Sequence, residues 1–392
     1  MTHPANPLQA GATPLRPPVA PPIAPPVVQP VTQPDTQPVT QPVTQPATQP
    51  ATQPFAPPIA LPFITQPVAD TAAWVAALVQ RDIPVLADTE ATLADLRCNE
   101  DAVDAHLLAG TLAHDPLMTL KLLRHVAELR HARHPGRDLH SDQTDPETTT
   151  EALVMLGITP FFRDFGPQTP IEQRLHNLPD AQAGLLRVLR RAQRAAGFAY
   201  AFALHRQDYD APLVYQAALL HDFAELLLWA HAPALAGQLA ARLRAEPGLR
   251  SADAQRVLLN TTLGEVQQAL MKAWRLPALL VQISDDQDSP LAQVRTVQLA
   301  VRLARHTADG WHNPVLTDVA AADVAAAGAT DATAAVAADV VADGAADGTA
   351  AVAAAVAAAV AAAVAADVAA IAQLLQLGIE PTWQLLQSLD ED

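Results

Sequence analysis

Cys98 is the only cysteine in 392 residues, which excludes an internal disulfide and any cysteine-rich zinc site and agrees with a reducing compartment. Basic residues are also few, 24 Lys and Arg against 41 Asp and Glu, for a formal charge of −17. The deficit is uneven. Residues 1–70 hold only Arg16, Asp35 and Asp70, whereas residues 318–392 hold eleven acids and no base, and the stretch between carries the remaining −5. No net positive field draws in a phosphate backbone, so nucleic-acid binding is not expected. The opening MTHPANPLQAGATPLRPP has neither the basic start nor the apolar core of a secretory signal, and the expected location is cytoplasmic. The uncharged stretch from Thr349 to Ala366 reaches membrane-spanning length, but it is almost all alanine with Val352, Val356, Val360 and Val364. Those valines favour insertion by about 1–2 kcal/mol in total. No Lys or Arg follows Arg305 to anchor a span, and no membrane helix is expected.

Proline is abundant, and 35 of these residues include six tandem TQP units between Thr32 and Pro54. Proline fixes φ and removes backbone donors, so residues 1–70 are expected to be a disordered, extended tether without a core. Composition turns helix-forming at Thr71. Apolar residues from Leu93 to Leu123 recur at spacings of three and four, Asp115-Pro116 reads as a capped helix start, and Gly157 closes a helix that begins near Thr148. A long helix over 181–205 carries a face of small residues, Ala192, Ala195, Ala196, Ala199 and Ala203. Further helices are expected over 233–245, 252–274 and 277–285. No stretch between 71 and 310 alternates as a strand does, so the fold class is all-α.

Residues 318–348 form a low-complexity Ala/Asp linker with too little apolar volume to pack. In residues 349–392 valine recurs every fourth residue and joins Ile371, Leu374 and Leu375 in one apolar stripe. Alanine is the best helix former, so a helix is expected over 349–377, capped by Gly378, with self-association through its stripe as one use. A last short helix opens at Pro381.

The stretch AALLHDFAELLLW, Ala217 to Trp229, sets two polar neighbours, His221 and Asp222, among leucines on an expected buried helix. Imidazole and carboxylate together suit a first-row divalent cation; a hydrogen-bonded core pair is the plainer reading. Six histidines between His106 and His140 lack ligand spacing and read as solvent-exposed.

Several short strings occur in a telling order: Ile83-Pro84-Val85-Leu86, then Asp115-Pro116-Leu117 with Leu120, Leu122 and Leu123, then Ala152-Leu153 to Leu156-Gly157, then Leu219-Leu220-His221-Asp222, then Trp274-Arg275-Leu276-Pro277. This series resembles the HDOD family, helical output domains related to HD metal-dependent hydrolases. The resemblance covers about 80–310, with Ala370 to Leu389 resembling the family's last helices, and implies a multi-helix HD-like domain over 71–317. It also implies what an active site would need, and most of that is missing. No histidine lies between His176 and His205, where Arg190, Arg191 and Arg194 stand instead; Leu263 occupies a position often held by histidine; Asp285-Asp286 replaces a histidine pair; and Phe223-Ala224-Glu225 replaces the usual IGK.

Two functions follow as expectations. The first is a non-catalytic bacterial signalling or regulatory module acting through protein partners, with no cofactor and a vestigial His221–Asp222 pair; the arginines near 190 would then salt-bridge Asp222 or Glu225, whereas in an enzyme the same arginines would hold phosphoryl oxygens. The alternative is a metal-dependent phosphohydrolase or cyclic-nucleotide phosphodiesterase in which His221, Asp222, Asp285 and Asp286 together hold an ion that activates water.

Overall fold

Helix caps in the sequence become helix ends in space. Asp70 accepts the amide of Ala73 at 2.8 Å to start α1 (Thr71–Val79), and Asp104 accepts that of Leu107 at 2.7 Å to start α3 (Ala105–Leu112). A computed structural model of the chain describes residues 61–133, 146–246, 249–285, 291–308, 310–311 and 348–391, with side chains undescribed at 348–356 and 391. Between and after α1 and α3 come α2 (Ala87–Arg97), α4 (Pro116–Arg133), α5 (Thr149–Leu156), α6 (Ile158–Asp164) and the single turn α7 (Ile171–Arg174). Thr148 and Glu151 close a reciprocal capping box on α5, and Gly157, at φ +85°, ends it in a conformation that favours glycine.

The second half is built around α8 (Pro179–His205), which at 1.5 Å per residue is about 40 Å long. Its small-residue face, Ala192, Ala195, Ala196, Ala199 and Ala203, is buried, and it packs on α9 (Ala211–Leu219), α10 (Phe223–His231), α11 (Pro233–Ala245) and α15 (Ala292–His306). The remaining helices are α12 (Ser251–Leu259), α13 (Leu263–Ala273), α14 (Ala278–Ile283), α16 (Gly348–Leu375) and α17 (Ile379–Glu391). The described residues hold no strand, only an isolated bridge between Val85 and Pro170, so the all-α expectation is met.

Several boundaries differ from expectation, each for a local reason. The single helix expected over 252–274 is two, because Asn260 adopts a left-handed φ of 61° and Thr262 with Glu265 caps a new start. The long alanine-rich helix ends at Leu375, with Gln376 left-handed at φ 57° before Gly378 is reached. The last helix begins at Ile379, and Pro381 sits within its first turn, where its missing N–H costs nothing. Residues 1–60 and 312–347, the latter including all but the last residue of the linker expected over 318–348, lie outside the described residues, whereas residues 61–70 of the expected tail are bound to the body. Ile64 donates to the carbonyl of His231 at 2.8 Å, Arg81 to that of Pro62 at 2.8 Å, and Asn260 to that of Val68 at 2.9 Å.

The apolar stripe of α16 faces its own chain. Ala361, Val364, Val368, Ile371 and Leu375 are buried, and the helix packs on α15. Ala357–Leu375 is long and apolar enough to cross a membrane by length and composition; within it Asp367 is buried and held by Arg302 and His306 of α15. The C-terminal helix is tied back to α8, where Arg194 donates to both carboxylate oxygens of Asp390 at 2.7 and 2.8 Å.

Candidate functional site

His221 and Asp222 do not lie within a helix. Leu220, His221 and Asp222 form a turn between α9 and α10, which corrects the expectation of one helix through Ala217–Trp229. Asp222 stands at the N-terminus of α10 with φ −109° and ψ 21°, yet its side chain makes no capping bond. It is directed elsewhere. Both residues are buried, at 6% and 8% exposure, so each polar atom there needs a partner.

Guanidinium groups supply the partners of the carboxylate. Arg191, from the middle of α8, approaches Asp222 Oδ2 with Nε at 2.9 Å and Nη2 at 2.7 Å, and the same Nη2 lies 2.6 Å from Glu225 Oε2. Arg305, near the end of α15, donates from Nη2 to Asp222 Oδ1 at 2.7 Å. His221 Nδ1 lies 3.2 Å from that same Oδ1, and facing a carboxylate acceptor it is the protonated nitrogen. Asp222 is thus engaged on both oxygens by groups from two helices, α8 and α15, and from its own turn.

The electrostatics follow from this arrangement. Burial pushes the Asp222 carboxyl up, but the Arg305 charge, the His221 hydrogen bond and the Arg191 charge outweigh it and hold the group well below the usual carboxylate range. Burial acts on Arg191 in the opposite sense and is likewise outweighed, by Asp222 and Glu225, which hold the guanidinium above its ordinary value.

These residues do not fit a divalent cation. An ion at Asp222 would have to displace two guanidinium groups and then sit beside their charges, at a cost that grows as the local dielectric falls. Among the described residues no three His, Cys, Asp or Glu side chains converge as a ligand set, so Asp285 is not gathered with the pair. Asp286 lies outside the described residues.

Of the three arginines read from the sequence, one occupies the site. Arg191 holds the pair, Arg190 is exposed, and Arg194 turns to Asp390. Arg305 was not foreseen; it lies 83 positions from Asp222, and no local pattern links them. Among the six histidines, His106 and His114 are exposed as expected and His131 is half-buried. His134 and His140 lie outside the described residues. His125 departs from the expectation: its Nε2 lies 3.1 Å from Asp164 Oδ2 and its ring meets that of Phe165 edge to face.

The order of motifs in the sequence has a structural counterpart in Asp115. This fully buried carboxylate caps α4 through the amides of Leu117 and Met118, both at 2.9 Å, and takes the amide of Leu86 at 2.8 Å on its other oxygen. One side chain therefore joins the Ile83–Leu86 segment to the helix that begins at Pro116.

A helical body with a His-Asp turn wedged against a long central helix defines an HD-like helical domain. The family model described as HDOD domain matches residues 83–290, and the chain belongs to that family of signalling output modules. Solved structures of similar outline include a response regulator, MmoQ, from Methylococcus capsulatus, at 20% identity over 58% of this chain and 87% of that one, with a TM-score of 0.43. A virulence factor from Campylobacter jejuni is 16% identical over 64% of this chain and 87% of its own, with a TM-score of 0.46. No curated protein matches the chain.

Proposed function

We propose that this HDOD chain is a non-catalytic signalling module, one that acts by contacts with other proteins in the cytoplasm and uses its His-Asp turn as a structural clamp. The observation that carries this reading is the double engagement of Asp222, by Arg191 at 2.7 Å and Arg305 at 2.7 Å. In a hydrolase of the HD type this carboxylate would be a metal ligand. Here it is the anionic centre of a cluster that ties α8, α10 and α15 together. Hydrolysis of a phosphate ester would need a group that activates water and donors preorganised around the phosphoryl oxygens. The guanidinium groups nearest the pair are spent on Asp222 and Glu225.

Elemental analysis of the purified full chain, paired with phosphodiesterase assays in added Mn²⁺ and Mg²⁺, tests the non-catalytic reading. The expected result is metal far below one per chain and no turnover. One metal per chain with turnover abolished in Asp222→Asn would overturn it. The contact role is tested by crosslinking the full chain in its native lysate: a defined partner whose capture survives His221→Ala is expected, and no partner under any crosslinking condition would refute it.

A further inference from the structure

A second polar centre lies away from the carboxylate of Asp222, where the loop after α1, the face of α4, the end of α6 and α7 surround a cleft of ≈ 410 Å³. His231, the last residue of α10, also lines it. Four cationic side chains enter this cleft, in a chain whose formal charge is −17. Two of them are neutralised on the spot: Lys121 by Asp82 at 2.7 Å and Arg124 by Glu128 at 2.8 Å. The remaining carboxylate of the cleft, Asp164, is held by Arg163 at 2.7 Å and by His125 at 3.1 Å.

Arg81 and Arg174 are different. Among the described residues neither has a carboxylate within ion-pair distance. Arg81 donates Nη1 to the carbonyl of Pro62 at 2.8 Å. Arg174 donates to the carbonyls of Ala230 and Leu61, both at 2.9 Å, and lies over the ring of Phe63 at 4.8 Å. Carbonyls and a ring orient a guanidinium without cancelling its charge. Two further polar atoms, Arg81 Nε and His231 Nδ1, are enclosed with no hydrogen-bond partner. Burial first, and then the charge of Arg81, lowers Arg174 from its ordinary value, with the Asp82 carboxylate acting the other way. A fold gains nothing by collecting unmatched like charges beside a cavity, and such local inconsistency marks sites completed by a ligand.

The geometry points to an anion-binding site in this cleft, in which Arg81 and Arg174 together take the phosphoryl group of a small phosphorylated molecule. Guanidinium groups match phosphate oxygens in charge and in the planar spacing of their donors. The volume is within the ordinary range for small-molecule pockets, about 300–1,000 Å³. Phe165 and Pro84 give the cleft an apolar wall beside the charges, suited to the rest of such a molecule. No residue of this site touches Asp222, so the inference does not rest on the reading of the His-Asp turn. His231 does end the helix that Asp222 begins, which places the cleft and the clamp at opposite ends of one rigid element.

Isothermal titration of the full chain at low ionic strength, with inorganic phosphate and with pyrophosphate as probes, tests the assignment. Saturable one-site binding is expected, weakened about tenfold or more in Arg81→Gln, since each charge-assisted donor contributes on that scale. Arg81 and Arg174 also hold backbone carbonyls, so a second variant avoids their structural role. Glu128→Gln removes an exposed carboxylate from the rim and is expected to tighten phosphate binding severalfold. Phenylglyoxal labelling of the unmodified protein gives a variant-free measurement: pyrophosphate should protect Arg81 and Arg174 but not the exposed Arg190. Absence of saturable binding to both probes, or equal labelling of Arg81 and Arg174 with and without pyrophosphate, would overturn the proposal.

Discussion

Arg191 and Asp222 meet across α8 and the turn before α10 at 2.7 Å, with the guanidinium about one-fifth exposed and the carboxylate at 8%. An ion pair so enclosed contributes modestly as a pair, because desolvation of both charges opposes their attraction, but it is costly to break from one side. Arg191→Ala takes the guanidinium away from both Asp222 and Glu225, leaving Asp222 with Arg305 and His221, and is expected to destabilise the fold by about 3–5 kcal/mol. Arg305→Ala, which removes the more exposed partner at 44%, is expected to cost about 1 kcal/mol. Urea unfolding of the two variants checks the order. Equal small losses would mean that the clamp is ornamental.

The pH response of stability is expected to be set first by His231. Burial, then the charges of Arg174 and Arg81, lower its pKa from 6.5 to about 3. A depressed folded value means that the unfolded chain binds the proton more readily, so this contribution is complete above pH 6.5 and is lost as pH falls from there toward 3. The slope approaches about 1.4 kcal/mol per pH unit, giving a loss of about 2 kcal/mol between pH 7 and 5. Asp222 has its own depressed value, and its contribution is lost as pH falls through the ordinary carboxylate range and below it. Denaturant unfolding at pH 7 and 5 measures the difference, and His231→Asn should flatten it. An unchanged slope in that variant would assign the proton elsewhere.

How much of this was legible in the sequence depends on the range of each interaction. The helix starts at Asp115 and Thr148 were, because such caps act on amides two or three positions away, and the unread caps Asp70 and Asp104 act over the same short range. The break at Asn260 was legible in principle: asparagine tolerates the left-handed region, and Thr262 and Glu265 spell a capping box. Periodicity across 252–274 concealed it, since two helices in nearly continuous phase present one stripe. The turn at His221–Asp222 was hidden for the same reason, with leucines on both sides masking the change of axis. The partners of Asp222 were half legible. Arg191 was read as one of three arginines of equal standing, and only packing chooses among them; Arg305 required tertiary structure. The cleft at Arg81 and Arg174 gathers residues 93 positions apart that no motif connects.

Gly184 on α8 faces Trp229 on α10 so closely that a Cβ at this position would collide with the indole ring atoms Cη2, Cζ2 and Cε2. The ring is buried at 4% exposure and cannot swing aside. Gly184→Ala gains helix propensity but must shift a packed aromatic ring, and a net loss of about 1–3 kcal/mol is expected. Gly197 lies on the same helix with open space where its Cβ would be. Gly197→Ala should therefore stabilise, by about 0.5–1 kcal/mol. Opposite signs in thermal unfolding are the result to look for; two gains would show that α8 and α10 can separate freely.

Asp367 holds α16 to the body. Its side chain is 2% exposed, Arg302 donates to Oδ1 from Nε at 2.9 Å and also from Nη2, and His306 Nδ1 lies 2.7 Å from Oδ2. Among the described side chains of this alanine-rich helix it makes the directional contact to α15, whereas apolar stripes alone slide and rotate against one another at little cost. Removing it leaves Arg302 and His306 facing an apolar helix without an acceptor, a penalty of about 1–3 kcal/mol. Asp367→Ala is therefore expected to raise amide exchange across 357–375 by tenfold or more while exchange in α8 stays unchanged, since α8 keeps its packing on α9, α10 and α11. Hydrogen exchange read by mass spectrometry distinguishes this local release from global loss. Unaltered exchange in 357–375 would mean that Val364, Val368 and Ile371 fix the helix without help from the charge.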